Sequence, residues 1–179
     1  RPDAVVELLN QYVGAMARAV AQHAGVLDKY LGDGVMAIFG VTGDDAQGSG
    51  DAVAAALQMR SDLGQVNADR AARGEPVLGY GIGIHTGRVC VGILGDAHRH
   101  RCTLISSKVN LASRLCKLTQ KLGVHILISQ DAYEACGEID GEMAQYLRRF
   151  GSVKVHGQRK EVDVLELFAT DAPAVRDYK

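Results

Sequence analysis

The chain has 179 residues, with 20 Lys and Arg against 21 Asp and Glu and a formal net charge of -1 at pH 7. That balance creates no global field for nucleic acid or anionic lipid, so neither is expected as a partner and any bound anion must be held locally. Apolar residues make up 47% of the chain and Pro only 3 positions, which suits one buried core of ordinary domain size and excludes a disordered chain.

From Asp3 to Ala24 the residues Val5, Leu8, Leu9, Tyr12, Val13, Met16 and Val20 recur at three- and four-residue steps, predicting a helix with one buried face that Gly25 ends. Val26 to Leu31, Gly32-Asp33-Gly34 and Val35 to Phe39 predict a β-hairpin whose Asp-Gly turn carries a carboxylate at its tip. Val41 to Gly50 is rich in Gly, Asp and Ser and predicts a loop, followed by an Ala-rich helix from Asp51 to about Arg73. Leu78 to Ile84, Val89 to Leu94 and Cys102 to Ile105 predict strands, with the polar stretch from Asp96 to Arg101 as an arm between the last two. Ser106 to Leu122 predicts a helix, His125 to Ile128 a short buried strand, Gln130 to Cys136 a short helix, and Tyr146 to Phe168 two or three strands. Helices alternating with hairpins predict an α+β fold, helices flanking a mostly antiparallel sheet.

No run approaches the ~20 apolar residues that cross a bilayer, and Arg1-Pro2-Asp3 lacks the layout of a signal peptide. A soluble piece without membrane contact is expected. Cys90, Cys102, Cys116 and Cys136 lie far apart with no C-x-x-C pair, which reads as reduced thiols in the cytosol rather than a zinc site or a disulfide framework.

Three groups of residues could carry chemistry. Asp33, raised on the hairpin tip between two glycines, is open to a hard cation, although Asp-Gly also serves as a plain turn. Lys29 precedes it by four residues in an apolar run, where it is either paired, facing a pocket, or solvated at an edge. Asn110 and Arg114 are spaced i, i+4 on one helix face, with Lys117 and Lys121 further along it and Val109, Ala112, Leu115 and Leu122 opposite. An ordinary solvated face has the same pattern, but an arginine there offers a rigid fork of donors suited to phosphate. The run from Gly79 to Gly87 resembles a dinucleotide fingerprint in its glycines only, since strand follows it where a helix is needed. His85 within it is either a base or a hydrogen-bonded structural histidine.

The stretches Leu27-Asp28-Lys29-Tyr30-Leu31-Gly32-Asp33-Gly34-Val35-Met36-Ala37-Ile38-Phe39-Gly40, Gly81-Ile82-Gly83-Ile84-His85-Thr86-Gly87 and Val109-Asn110-Leu111-Ala112-Ser113-Arg114-Leu115, in this order and spacing, closely resemble the class III nucleotidyl cyclase catalytic domain, of the bacterial adenylyl cyclase type. The resemblance extends over nearly the whole chain, including Tyr12 and Arg99, so residues 1–179 are expected to form one such domain with its ferredoxin-like fold. It implies an adenylyl cyclase that converts ATP to 3′,5′-cyclic AMP and pyrophosphate with Mg²⁺ or Mn²⁺. Lys29 and Thr103 would read the purine, Asp33 would bind metal, Asn110 would orient the ribose and Arg114 would bind the reacting phosphorus. Arg88 is similar to a phosphate-contacting arginine of some members. Because the family splits each site between two subunits, the resemblance also implies a homodimer with two clefts.

The chain departs from the family pattern at three places. The second metal carboxylate of the family lies on a strand before the first helix, and this chain begins after that strand, implying a domain incomplete at its N-terminus. Ser106-Ser107-Lys108 stands where members usually read Gly-Asp-x, and Val155-His156-Gly157-Gln158 where they read V-K-G-K, so His156 would be a weaker, pH-dependent contact to the triphosphate. The alternative these departures favour is a silent cyclase-like module that dimerises or senses nucleotide within a larger signalling protein. Either would work in the cytoplasm, alone or as the cytoplasmic part of a membrane-anchored protein.

Overall fold

A computed structural model describes residues 2–41, 47–95, 100–137, 145–155 and 161–168. The chain divides into two compact units, one formed up to Tyr80 and the other from Gly81 to Phe168.

The first unit contains α1 (Pro2–Gln22), β1 (Val26–Leu31), β2 (Gly34–Ile38) and α2 (Gly48–Ala72). The three- and four-residue steps of α1 place Ala15, Met16, Ala19 and Val20 in the interior. Ala15 and Met16 pack with Leu63 of α2, and Tyr12, Val35, Met59 and Tyr80 close around them. Helix α2 begins three residues before the expected Asp51. The strand expected from Leu78 is not formed until Ile82. The reason is local: the Asn67 side chain accepts the Leu78 N–H at 2.7 Å and donates to the Leu78 carbonyl at 3.0 Å, taking the place of a neighbouring strand.

The second unit contains β3 (Ile82–Ile84), β4 (Cys90–Gly95), β5 (His100–Ile105), α3 (Ser107–Leu122), β6 (Ile126–Ser129), α4 (Gln130–Glu134), β7 (Leu147–Val153) and β8 (Val162–Leu167). Its main sheet runs β3-β6-β8-β7, and β4 and β5 form a separate antiparallel hairpin. Of the expected arm from Asp96 to Arg101, His100 and Arg101 belong to β5, and residues 96–99, Arg99 among them, lie outside the described residues. Strands β6, β8 and β7 pair antiparallel, whereas β3 pairs parallel to β6 because the β4–β5 hairpin and α3 lie between them in the chain. The fold is α+β, as expected, with one parallel pair among the described residues. Leu111 and Leu115 of α3 meet Val124, Leu127, Val155 and Val164 in the core of this unit.

The glycines of Gly81-Ile82-Gly83 serve the contact between β3 and α3. A Cβ on Gly83 would collide with the backbone of Ala112, Leu115 and Cys116, and one on Gly81 with Thr119 and the Cys116 carbonyl. Cys116 Sγ also donates to the Gly81 carbonyl at 3.2 Å. Strand and helix thus approach backbone to backbone, which only a side chain of a single hydrogen permits. The axis of α3 is thereby fixed against the sheet.

Candidate active site

The first group of candidate residues is carried by the β1–β2 hairpin. Leu31 pairs with Gly34, so the turn residues are Gly32 and Asp33. Gly32 takes the positive φ of 69°, at the first turn position, and leaves Asp33 at the second. This corrects the expected Asp33-Gly34 turn but keeps the carboxylate exposed at the tip.

Between Leu27 and Lys29 the register slips, because Leu27 pairs with Ala37 and Lys29 with Met36. Asp28 is the extra residue of this β-bulge, a device that re-aims neighbouring side chains. The Asp28 side chain is 8% exposed, and its Oδ2 lies 3.1 Å from Nζ of Lys29, whose side chain is 36% exposed. The two are at ion-pair distance, but Oδ2 makes no aligned hydrogen bond. Lys29 is thus met at its ammonium by a buried carboxylate that the sequence motif alone does not single out. The available signal was an acid and a base adjacent in an apolar strand.

The second group is carried by β5 and α3. Thr103 lies on β5 opposite Gly92, four residues before α3 begins. Ser106 is the N-cap of α3, with extended backbone, φ −166° and ψ 146°, and its Oγ accepts the Lys108 N–H at 3.1 Å. The same hydroxyl donates to the Arg88 carbonyl at 3.0 Å. Asn110 is exposed and Arg114 half-buried, one turn apart on the side of α3 that turns from the Leu111 and Leu115 stripe. Lys117 and Lys121 continue that side, exposed as expected. Gly123, in the left-handed conformation, ends the helix.

Arg88 is exposed on the segment that leads from β3 into β4. At the end of β3, Nδ1 of His85 lies 2.7 Å from Oγ of Ser129. Ser129 is fully buried and caps α4 by accepting the Ala132 N–H at 3.2 Å. Ser129 and His85 are thus hydrogen-bonded, and the imidazole tautomer decides which of the two donates. Burial, and then the nearby charge of Lys108, push the His85 pKa down, with Asp131 opposing. His85 is a hydrogen-bonded structural group in this arrangement. His156 lies outside the described residues.

Among the described residues no three His, Cys, Asp or Glu side chains gather to hold a metal ion. Asp33 nevertheless fits a magnesium-type site, since such ions often keep several waters and take one or two carboxylates together with substrate phosphates. No helix of the described residues is long and apolar enough to cross a membrane.

Residues 1–167 match the family model described as the adenylate and guanylate cyclase catalytic domain. The chain is 32% identical over 172 residues to an adenylate cyclase of Anabaena cylindrica, covering 94% of this chain and 33% of that protein. It spans a third or less of the curated adenylate cyclases it matches. Among solved structures it is similar to the guanylyl cyclase Cya2, with a TM-score of 0.79, 30% identity and coverage of 97% of this chain and 84% of that one. It is likewise similar to the adenylyl cyclase CyaB from P. aeruginosa, with a TM-score of 0.75, 29% identity and coverage of 92% and 82%. The chain belongs to the adenylate and guanylate cyclase catalytic domain family.

Proposed function

We propose that the domain is an adenylyl cyclase, converting ATP to 3′,5′-cyclic AMP and pyrophosphate in a signalling protein of the cytoplasm. The observation that carries this reading is the placement of Asn110 and Arg114 one turn apart on the outward side of a helix whose axis is fixed by Gly81 and Gly83. Asn110 holds the ribose so that its 3′-oxygen stands in line with the α-phosphorus, and that positioning supplies much of the acceleration. The 3′-oxygen bonds to the α-phosphorus, the bond from that phosphorus to the bridging oxygen of the β-phosphate breaks, and pyrophosphate leaves while the 3′-hydroxyl proton passes to solvent. The Arg114 guanidinium stabilises the charge that grows on the α-phosphoryl oxygens during this exchange.

Lys29 and Thr103 read the purine. A lysine and a threonine there favour adenine, and the adenylate cyclases among the relatives agree with that choice, although Cya2 is a guanylyl cyclase. Arg88 and His156 contact the phosphates. Asp33 would hold Mg²⁺ or Mn²⁺, an ion that when bound neutralises phosphate charge. In this reading Lys29 and Arg114 face Asp33 across a head-to-tail homodimer, so that two chains complete each cleft.

The test is cyclic nucleotide formation by the complete protein with Mn²⁺ and either ATP or GTP, beside an Arg114→Ala variant. ATP is expected to be turned over in preference to GTP, with a loss of about a hundredfold or more in kcat for the variant. A preference for GTP would overturn the assignment of the base. Absence of product from both nucleotides, or an unchanged rate in the variant, would leave the silent cyclase-like module as the better reading.

A further inference from the structure

We propose that Ser106 is a positioning residue, whose single hydroxyl ties the Arg88 segment to the first turn of the helix that carries Asn110 and Arg114. The inference rests on the cyclase reading for its catalytic consequence. Its structural basis is independent of that reading.

A serine hydroxyl has one proton and two lone pairs, and at Ser106 the two kinds of bond go to different elements. A lone pair caps α3 through the Lys108 N–H, and the proton goes to the Arg88 carbonyl. The Arg88 segment is held from two other directions. Upstream, His85 is anchored to the buried Ser129. Between them, Gly87 has φ +151°, and the stem of Lys108 lies so close that a Cβ there would come within 2.9 Å of Lys108 Cγ, Cδ and Cε. The segment from His85 to Arg88 is therefore pinned to β6, to the Lys108 stem and to the α3 cap.

The consequence follows from the short path between the groups. Asn110 lies four residues beyond Ser106, so the cap sets where the first turn begins and the bond to Arg88 sets where that turn stands relative to the β3–β4 segment. An aspartate can cap a helix but has no proton for a carbonyl. Serine supplies both bonds from one atom. Loss of the second bond leaves the helix intact but lets the two segments drift, and a small misplacement of reacting groups lowers kcat more than it raises KM.

Three variants of the complete protein separate the two bonds: Ser106→Ala removes both, Ser106→Asp keeps the cap alone, and Ser106→Thr keeps both. Tm and cyclic nucleotide kinetics are measured for each. Ser106→Ala is expected to lower both Tm and kcat, the latter about tenfold with KM within about twofold. Ser106→Asp is expected to recover Tm but not kcat, and Ser106→Thr to recover both. Recovery of kcat by Ser106→Asp would overturn the proposal, as would an unchanged kcat in Ser106→Ala. Should the unaltered protein form no cyclic nucleotide, the cyclase reading fails, and amide hydrogen exchange of residues 87–91 decides the tie itself. Faster exchange there in the Ala and Asp variants but not in Thr supports it, and equal exchange in all three overturns it.

Discussion

Asp28 and Lys29 are neighbours in sequence, yet the bulge buries the acid and leaves the base more than a third exposed, with 3.1 Å between Oδ2 and Nζ. Replacing Lys29 by Met strands a buried carboxylate. A fully buried pair would lose about 3–5 kcal/mol on losing one partner, and the partial exposure of Lys29 brings the expected cost to about 1–2 kcal/mol. The double variant Asp28→Asn with Lys29→Met is expected to be more stable than the Lys29→Met single variant. Urea unfolding of the four proteins measures this, and single costs that simply add would show that the two groups do not interact.

Gly83 stands against backbone, which cannot move aside as a flexible side chain can. Gly83→Ala is expected to cost about 3 kcal/mol or more, whereas Gly79→Ala, where a Cβ meets nothing within 4 Å, should stay within about 0.5 kcal/mol. Equal denaturation midpoints for the two variants would contradict the close approach of β3 and α3.

His85 is held neutral by burial and by the positive charge of Lys108, so its pKa lies below the ordinary value near 6.5. Below that pH the unfolded chain takes up a proton that the folded chain refuses. The stability from this group is therefore complete above about pH 6.5, is lost as pH falls toward the lowered folded-state value, and levels off beneath it. Unfolding free energies between pH 7 and pH 5 should fall less steeply for His85→Gln than for the unaltered protein. Parallel slopes would rule out His85 as the source.

The elements that carry the candidate residues were legible because their signals are local. The period of α3, the periodicity of α1 and the Gly-Asp-Gly turn each lie within a few adjacent residues, and the structure places them within a few residues of expectation. What was not legible depends on distant partners. The bulge at Asp28 exists only relative to β2, and the loss of strand at Leu78 depends on Asn67, eleven residues away. The purpose of Gly81 and Gly83 lies in Ala112 to Thr119 of α3, far along the chain. Ser106 carried a readable cap signal, but its bond to Arg88 did not follow from any spacing. The apolar side of α3 was read as Val109, Ala112, Leu115 and Leu122, whereas Leu111 joins Leu115 in the core because the helix is pressed on β3 by Ala112 and Cys116.

The central claim is that Asp33 of one protomer and Arg114 of another serve the same cleft, and mixing tests it most directly. Asp33→Ala and Arg114→Ala versions of the complete protein are each expected to form almost no cyclic AMP alone. Mixed in equal amounts and allowed to exchange partners, they should regain about a quarter of the unaltered activity, because half of the dimers are mixed and one of their two clefts is intact. A mixture as inactive as its components, with mixed dimers present, would contradict the shared cleft.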